Sequence, residues 1–361
     1  MSAAGAVAGE AAGSGRGALT VDLRLLVQLA VIGFTFFMLI NASALLVYAE
    51  RKIMGFMQQR YGPYRVGPHG LFQPLADILK LLMKEELTPK GADRWLFTLA
   101  PILAITTAFA AFATVPWGAE TTLFGLLDAP VKLGASDVNV GVLVVFATTS
   151  MGVYGIVLAG WSSNSKYSLL GGLRSSAQMI SYELSYATAL SAVILLAGSL
   201  SLRETVDAQA GYWLGFIPRW YVFLQPVGFA IYMIAAVAET NRAPFDFPEA
   251  EQELVAGYST EYSSVRFALF PQAEYINMTT AAAVATDLFL GGWHGPFLPP
   301  EYGWIWFLVK VAAILFAYIW VRWTVPRYRY DQLMQFGWKW LFPAAVINLI
   351  VTAALVLYLD A

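Results

Sequence analysis

The stretch Trp95–Val115 reads WLFTLAPILAITTAFAAFATV and contains no charged residue. A helix of about 20 apolar residues is long enough to cross the hydrocarbon core of a bilayer, which is about 30 Å thick. Seven more stretches of similar length and character lie along the chain. They run approximately over Leu25–Ala49, Val140–Ala159, Ser175–Leu196, Tyr221–Ala238, Phe267–Leu290, Gly303–Trp323 and Leu341–Leu359. The pattern predicts an all-α, polytopic membrane protein with eight transmembrane helices.

The composition of the whole chain supports a lipid environment and disfavours several kinds of site. Charged residues make up 13% of the 361 residues, whereas a soluble domain typically carries about 25%. The chain has no cysteine and two histidines, so cysteine ligation of an iron–sulfur cluster is excluded and a bis-histidine haem is disfavoured. We therefore predict no metal and no redox centre on this chain. Electrons, if they are involved, are carried by other chains.

Lysine and arginine are distributed unequally between the two predicted sides of the membrane. Sixteen of the 22 fall in the loops after the first, third, fifth and seventh predicted helices, if Arg322 at the very end of the seventh helix is included. The positive-inside rule then places loops 50–94, 160–174, 239–266 and 324–340 in the cytoplasm and both termini outside. Residues 1–20 are rich in alanine, glycine and serine and lack the features of a signal peptide. We predict a flexible tail over these residues and a single membrane domain over residues 21–361.

The first predicted cytoplasmic loop contains a segment with one apolar and one charged face. Between Leu71 and Glu86, leucine and isoleucine recur at helical spacing, and Asp77, Lys80 and Lys84 fall on the opposite face. A helix of this kind is too polar to span a bilayer and is typical of the membrane interface. The pattern predicts an interfacial amphipathic helix. It leaves two roles open, which are lining a portal from the lipid and sealing the edge of the bundle.

The loop after the fifth predicted helix is unusually acidic for this chain. Six carboxylates occur within residues 239–261, together with two prolines. Asp246 and Glu249 have the spacing of a capping box at the start of a short helix. Glu249 and Glu253 would then repel each other one turn apart, and such crowding favours proton binding by some of these groups. A plain helix cap and a solvated acidic loop are the simpler alternatives.

Three carboxylates lie within the predicted helices or at their ends. Glu183 falls inside the fourth helix, Glu274 falls inside the sixth, and Glu239 lies at the end of the fifth. A charged side chain at the bilayer centre costs about 3 kcal/mol or more, and such residues usually mark ion or proton paths. A proton path is the favoured interpretation, and a structural acid paired across helices is the alternative. Asp287, near the far end of the sixth helix, is interpreted as an interfacial acid without a special role.

Several motifs in these segments resemble one family closely. They are Glu50-Arg51-Lys52, Arg60-Tyr61-Gly62-Pro63, Arg65-Val66-Gly67-Pro68, Gln73-Pro74-Leu75-Ala76-Asp77, Lys84-Glu85, Tyr167-Ser168-Leu169-Leu170-Gly171, Gln178-Met179-Ile180-Ser181-Tyr182-Glu183, and the long run from Ala238 through Asp246 and Glu253 to Tyr262. In order and spacing they resemble the H subunit of proton-translocating NADH:quinone oxidoreductase (respiratory complex I), whose mitochondrial counterpart is subunit 1. The resemblance extends from about Leu25 to the C-terminus.

This resemblance implies a protein that joins the membrane arm of the complex to its peripheral arm. Its loops would enclose a chamber for the quinone headgroup together with two peripheral-arm subunits. Small membrane-arm subunits and membrane lipid would be its other neighbours, and nucleic acid would not be a partner. Quinone is the implied substrate, and FMN and iron–sulfur clusters are expected on partner subunits. The implied location is an energy-coupling membrane, in a bacterium the cytoplasmic membrane.

The same resemblance assigns roles to individual residues, none of them catalytic in itself. Positions of the quinone chamber are matched by Glu50, Arg51, Arg65, Glu239, Arg242, Asp246, Glu249, Glu251 and Glu253. Positions of an acid path into the membrane, which would couple quinone reduction to proton translocation, are matched by Glu183, Glu239 and Glu274. Some relatives carry a further carboxylate near Ser150. This chain has none there, so that part of the path departs from the family pattern.

Three other functions fit parts of the sequence. A subunit of a membrane-bound hydrogenase would share the fold and much of the loop chemistry. A stand-alone secondary transporter would place its substrate site at the midplane of the membrane, on broken helices, whereas the informative loops here lie on one side. A purely structural anchor would have no use for acids buried in the bilayer.

Overall fold

The computed structural model describes residues 4–122, 130–213, 217–248 and 251–360. Within these residues the chain forms thirteen α-helices and two short antiparallel hairpins. The helices are α1 (Ala4–Met57), α2 (Gln73–Leu82), α3 (Arg94–Ala113), α4 (Gly141–Ser162), α5 (Lys166–Ala197), α6 (Leu202–Ala208), α7 (Tyr221–Leu224), α8 (Pro226–Glu239), α9 (Glu251–Leu254), α10 (Ser264–Phe289), α11 (Gly303–Thr324), α12 (Tyr330–Phe336) and α13 (Phe342–Asp360). The hairpins pair β1 (Glu120–Thr121) with β2 (Val131–Lys132), and β3 (Tyr212–Trp213) with β4 (Ile217–Pro218). Short 3₁₀ turns cover Pro68–Gly70, Gly257–Ser259 and Pro300–Tyr302, and a π-helical turn, Gly337–Leu341, joins α12 to α13.

Among the residues that the structure describes, six helical segments are long and apolar enough to cross a membrane. They are Leu25–Met57, Arg94–Ala113, Gly141–Ser162, Lys166–Ala197, Gly303–Thr324 and Tyr330–Tyr358. The prediction of an all-α, multi-pass membrane protein is confirmed. The two other predicted helices correspond to α8, which has 14 residues, and to α10, which has 26 residues but contains several polar ones. The count of eight transmembrane helices stays a prediction.

The fifth predicted helix is interrupted near its start. The sequence predicts one helix over Tyr221–Ala238, but the structure divides it into α7 and α8 at Gln225, whose φ and ψ angles are −127° and 51°. Pro226 explains the break, because proline lacks an N–H and disfavours the helical conformation of the residue before it. At this break the Gln225 side chain donates a hydrogen bond of 2.6 Å to the Thr352 hydroxyl on α13.

The polar helix α10 lies at the centre of the bundle and not at its lipid-facing surface. It packs against α1, α3, α8 and α11, and all side chains from Ala281 to Ala285 are buried. Small side chains of this kind let neighbouring helices approach closely in membrane proteins. Because protein surrounds α10, its polar side chains need not contact hydrocarbon.

The helices connect two ends of the bundle. α1, α4, α8 and α11 finish at one end, where α3, α5 and α10 begin, and Arg322 of α11 accordingly contacts Glu50 of α1. We call this the loop end, since it carries the loops that the sequence singles out. The opposite end, where α10 finishes and α11 begins, is called the far end.

Two predictions concern segments at either side of the first membrane span. A helix, α2, forms within the predicted amphipathic segment, and the Ser264 hydroxyl at the start of α10 donates to the Leu81 carbonyl at 2.9 Å. Its position at the membrane interface stays a prediction. The backbone of α1 is helical from Ala4 onward, within the stretch predicted to be a flexible tail. The mobility of that stretch also stays a prediction.

Gly171 in α5 allows the 3₁₀ turn Gly257–Ser259 to lie directly against the helix. A Cβ atom at this position would lie 2.7 Å from the Tyr258 nitrogen and 2.9 Å from the Gly257 Cα. Backbone atoms cannot move aside as a flexible side chain does, so Gly171→Ala is expected to lower stability by about 1–3 kcal/mol. Thermal unfolding of the purified protein in detergent measures the loss. Gly33→Ala is the control, because a Cβ there meets no atom within 4 Å; equal unfolding temperatures for the two variants would contradict the prediction.

Candidate functional site

The loop end carries a cluster of charged and tyrosine side chains from three helices. Glu50, near the end of α1, is 4% exposed and pairs with Arg322 from the last turn of α11. The Tyr275 hydroxyl on α10 donates a hydrogen bond of 2.6 Å to the other carboxylate oxygen of Glu50. The buried carboxylate therefore has both a charge partner and a donor, which together offset its removal from water.

Arg242 extends this cluster from the segment that follows α8. It is 9% exposed, and its guanidinium lies 4.1 Å from the centre of the Tyr275 ring. Its Nη2 atom lies 3.6 Å from Oε2 of Glu274, and the Tyr258 hydroxyl donates to Oε1 of the same carboxylate at 3.1 Å. Cation–π and ion-pair interactions are both stronger where water is excluded. Arg242 is thus a positive charge that acts on Tyr275 and Glu274 in a largely buried place.

Gln178 of α5 holds the segment that carries Arg242. Its side chain is fully buried, and Nε2 donates to the Ala238 carbonyl at 2.7 Å and to the Phe245 carbonyl at 2.8 Å. These two carbonyls lie on either side of Arg242 in the sequence, so one amide fixes the whole turn. Phe247 is also buried. A fully solvated loop, one of the alternatives from the sequence, therefore does not describe residues 240–248.

Glu239 and Glu183 form a second pair of acids, on α8 and α5. Their carboxylates interact electrostatically, and Thr149 forms a hydrogen bond with Glu239. The Ser150 hydroxyl on α4 donates a hydrogen bond to Oε1 of Glu183. At the position where the sequence departs from the family pattern, the structure thus places a hydroxyl in contact with Glu183.

A small cavity lies between Glu239 and Glu274. Its volume is about 20 Å³, and Asn241, Asn277 and Tyr258 are among the polar residues that line it. A space of this size between polar groups holds about one water molecule. The cavity therefore offers a polar connection between an acid at the end of α8 and an acid in α10.

Other residues predicted for the chamber lie at the loop end but outside this buried cluster. Arg51 pairs with Asp77 at 2.6 Å, and Glu253 pairs with Arg174 at 2.6 Å, both on the surface. Arg65 is exposed and forms no ion pair within the part of the chain that the structure describes. The structure does not bring Arg51, Arg65 or Glu253 into contact with the buried cluster.

The remaining predicted acids belong to the loop between α8 and α10. Asp246 is half-buried and interacts electrostatically with Glu274. Glu249 lies outside the described residues, and so does the side chain of Glu251, although its backbone begins α9. The capping box predicted from Asp246 and Glu249 therefore stays a prediction.

Sequence patterns did not single out Arg322, Tyr275 and Tyr258, which complete the cluster. Arg322 and Glu50 each lie where an apolar stretch ends on the same predicted side of the membrane. That shared position is a signal from which their pairing could be suspected. The two tyrosines are among 18 in the chain, and nothing in their spacing distinguishes them.

Tyr262 anchors the end of the acidic loop to α3. Its ring stacks on Phe97 with centroids 4.0 Å apart, and its hydroxyl donates to the Phe97 carbonyl at 3.1 Å. Burial raises the pKa of the Tyr262 hydroxyl to about 12, so the group stays a neutral donor at physiological pH. The loop is therefore fixed to the bundle at both of its ends, by Gln178 and by Tyr262.

The side chains of this site suit proton and charge chemistry. They are carboxylates, tyrosine hydroxyls and guanidinium groups that lie together with little access to water. Among the residues that the structure describes, no group of three or more His, Cys, Asp and Glu side chains is placed to hold a metal ion. The arrangement can bind protons and respond to a change of charge beside it.

Known proteins resemble this chain over most of its length. The model of the family described as NADH dehydrogenase matches residues 29–353. An H subunit of NADH-quinone oxidoreductase from Geobacter metallireducens, the one numbered 2 in that organism, is 54% identical over 333 residues, which cover 90% of this chain and 93% of the relative. The corresponding H subunit 2 of Koribacter versatilis is 51% identical (93% and 99% covered), and the H subunit of Protochlamydia amoebophila is 50% identical (87% and 92% covered). The chain belongs to the NADH dehydrogenase family, and its homologues are the H subunits of NADH-quinone oxidoreductases, membrane subunits of complex I.

Proposed function

We propose that this chain forms much of the quinone-binding chamber of a NADH-quinone oxidoreductase and couples quinone reduction to proton translocation. The observation that supports this most strongly is the connection at the loop end. Arg242 contacts Glu274, and a single cavity is lined by both Glu274 and Glu239. A change of charge beside Arg242 would therefore act on Glu274, and a water molecule in the cavity would carry the response to Glu239.

The loop end needs other protein chains to complete such a chamber. In and near the first loop, Phe56, Tyr61, Tyr64 and Phe72 are between 53% and 91% exposed. Aromatic side chains are enriched at protein interfaces, and contiguous exposed apolar patches mark them. We infer that peripheral-arm subunits cover this surface and that small membrane-arm subunits and lipid cover the sides of the bundle. The loop end then faces the cytoplasm of a bacterium, as the excess of lysine and arginine favours.

Reduction of a quinone takes up electrons and protons and so changes the charge around its headgroup. The electrons come from FMN and iron–sulfur clusters on partner subunits. On this chain, Arg242 and Arg322 stabilise the carboxylates of Glu274 and Glu50, and Tyr275 lies between them. A quinone that gains two electrons also takes up two protons to form the neutral quinol. A proton drawn from this network leaves the network more negative by one charge, which changes the proton affinity of the neighbouring groups. Glu274 then exchanges a proton with the water of the cavity.

The next acids of the path are Glu239 and Glu183. Their electrostatic interaction means that a proton gained by one favours loss of a proton by the other. Thr149 and Ser150, neighbours on α4, form hydrogen bonds with Glu239 and Glu183 respectively. Two adjacent hydroxyls of α4 thus orient both carboxylates, which belong to two other helices. The path leads from the loop end into the membrane-spanning part of α5.

The relatives favour this function over the alternatives that the sequence leaves open. Those from Geobacter metallireducens, Koribacter versatilis and Protochlamydia amoebophila are all named as subunits of NADH-quinone oxidoreductases, and none of the three is named as part of a hydrogenase or as a stand-alone transporter. Glu239 and Glu274 also lie close to the segment that carries Arg242, whereas Glu183 lies about midway along α5. The acids thus form a series that starts at the loop end and do not surround one substrate site at the midplane of the membrane.

Glu239→Gln tests the proposal, because it removes the exchangeable proton and keeps the shape of the side chain. We expect quinone-linked NADH oxidation by the assembled complex to fall by about tenfold or more, as is typical for loss of a proton-transfer group. NADH oxidation by an artificial acceptor that takes electrons at the flavin should be unchanged, since partner subunits carry out that reaction.

The matched control for this experiment is Glu204→Gln. Glu204 is an exposed carboxylate at the far end, where it accepts a hydrogen bond of 2.5 Å from Ser199. Its substitution should leave both activities at the wild-type level. Unchanged quinone-linked oxidation in the Glu239 variant would rule out the proposed function.

A further inference from the structure

Asp287 lies in the last turn of α10, at the far end of the bundle, and its surroundings are not those of an interfacial acid. The side chain is 0% exposed, and neither carboxylate oxygen has a hydrogen-bond partner among the residues that the structure describes. Taking a carboxylate out of water without donors costs several kcal/mol. The structure therefore places Asp287 inside the protein and not at the interface that the sequence predicted, and a carboxylate buried in this way needs another partner.

Lys310 on α11 faces the same region but does not supply the missing donor. Its Nζ donates to the backbone carbonyls of Leu290, Gly292 and His294, at 2.6, 2.8 and 2.6 Å. An ammonium group has three N–H donors, so these carbonyls use all of them. Lys310 therefore acts on Asp287 through its charge alone.

The other charged groups around Asp287 also leave its oxygens unbonded. Arg203 interacts with it electrostatically, but the Arg203 Nε lies 3.8 Å from a carboxylate oxygen of Asp137. The Nε2 of His294 lies 3.6 Å from an oxygen of Asp207. Lys310 and Arg203 thus balance the charge of Asp287 at a distance, while each oxygen of Asp287 can still accept a proton.

A cavity of about 190 Å³ lies close to this group, although Asp287 itself does not line it. Residues that line it include Gln209, Tyr212, Trp220, Trp293, His294 and Pro299. Gln209 Nε2 also donates to the backbone carbonyl of Asp287 at 2.8 Å. The turn of Gly291 and Gly292 has positive φ angles of 67° and 49°, and a Cβ at Gly292 would lie 2.9 Å from Oδ1 of Asp287. The carboxylate therefore packs directly on the backbone of a turn beside the cavity, with no side chain of that turn in between.

We propose that Asp287 binds a proton and exchanges it with water in this cavity, and so forms a proton-release site at the far end of the subunit. In the proton-bound state the carboxyl group is neutral, which accounts for its burial without donors. On release the O–H bond breaks and the proton passes to a water molecule in the cavity. The charges of Lys310 and Arg203 stabilise the carboxylate until another proton arrives. This inference rests on the proposed function, because it takes proton translocation by the subunit as its starting point.

Tyrosine hydroxyls from α5 and α8 lie against α10 about halfway between Glu274 and Asp287. Asp287 lies about 20 Å along the helix from Glu274. Midway, the Ala281 carbonyl accepts a hydrogen bond of 2.7 Å from the buried Tyr232 hydroxyl. The Tyr186 hydroxyl lies 3.0 Å from that of Tyr232, and it must be the donor, since Tyr232 has one proton and gives it to Ala281. These two buried hydroxyls therefore lie between the two acids along the length of α10.

The test uses the complete complex in sealed liposomes and compares the wild type with Asp287→Asn. Two quantities are measured, which are quinone-linked NADH oxidation with an ionophore present and the number of protons translocated per quinone reduced. We expect oxidation within about twofold of the wild type and a reproducible fall in protons per quinone, because asparagine has no proton to release. An unchanged number of protons per quinone overturns the proposal.

Two further variants make the result specific. Glu204→Gln is the matched control, since Glu204 is an exposed carboxylate at the same end and does not line the cavity; both quantities should stay unchanged. Asp287→Glu keeps an acid and should restore the proton ratio, with its pH dependence shifted to higher pH by about 0.4 units, the difference between the ordinary pKa values of the two acids. If Asp287→Asn does not assemble, Asp287→Glu decides alone, and an unshifted pH profile overturns the proposal. Failure of the proposed function looks different, because Glu239→Gln would then retain quinone-linked oxidation.

Discussion

Replacement of Arg242 by methionine is expected to lower quinone-linked NADH oxidation by about tenfold or more, which corresponds to about 1.4 kcal/mol of lost stabilisation. The substitution removes the guanidinium that lies 3.6 Å from Glu274 and 4.1 Å from the Tyr275 ring. A buried carboxylate that loses its cation takes up a proton and no longer responds to charge in the chamber. Oxidation of NADH by an artificial acceptor, measured on the same preparation, should remain at the wild-type level. The quinone-linked activity of Arg242→Lys should lie between those of the wild type and of Arg242→Met, because lysine keeps the charge but not the planar group that stacks on tyrosine.

Arg329→Met is the matched control for this experiment. Arg329 also lies at the loop end and pairs with an aspartate, but its side chain is 75% exposed and that of Asp331 is 55% exposed. Exposed ion pairs contribute little, so no change in either activity is expected. Equal losses in the Arg242 and Arg329 variants would show that any missing cation at this end has the same effect, and the role given to Arg242 would be abandoned.

The second large effect is expected from Arg322→Leu, which leaves Glu50 buried without its charge partner. Breaking a buried ion pair by removing one member typically costs about 3–5 kcal/mol. We expect a sharp decrease in the amount of assembled complex and a lower temperature of thermal unfolding. Adding Glu50→Gln to this variant should recover most of the stability, because glutamine is neutral and its carbonyl can still accept the hydrogen bond from Tyr275.

The four proteins of this cycle are the wild type, the two single variants and the double variant. Their unfolding temperatures separate the interaction between Glu50 and Arg322 from the separate contributions of each residue. If the loss of stability in the double variant equals the sum of the losses in the two single variants, the two residues do not stabilise each other, and the contact between α1 and α11 must depend on other side chains. A fully recovered stability with low quinone-linked oxidation would separate the structural role of the pair from its role in the chamber.

Much of the fold follows from hydropathy along the chain. The predicted stretch Trp95–Val115 corresponds to α3 at Arg94–Ala113, and Gly303–Trp323 corresponds to α11 at Gly303–Thr324. These agreements arise because transfer of a helical segment into lipid depends on its own residues. The break at Gln225 between α7 and α8 was not predicted from hydropathy, because a single proline interrupts the helix within a long apolar run.

The candidate site was predictable in part. Sequence motifs pointed to Arg242, Glu239 and Glu274, and the structure places them around one ion pair and one cavity. The patterns also pointed to Arg51 and Arg65, which lie on the surface away from that cavity. Partner subunits, which the proposed chamber needs, decide what those exposed side chains contact.

Hydropathy and charge along the chain predicted that it enters a membrane, where its helices run and which acids would be costly to bury. These properties are local, because each depends on residues that are neighbours along the chain. The partners of those acids became visible once the helices were packed together. Glu50 meets Tyr275 and Arg322 across 225 and 272 positions of sequence, while Asp287 is buried beside a lysine whose donors are already used. Such contacts depend on how helices pack against one another, and no local pattern of residues records that packing.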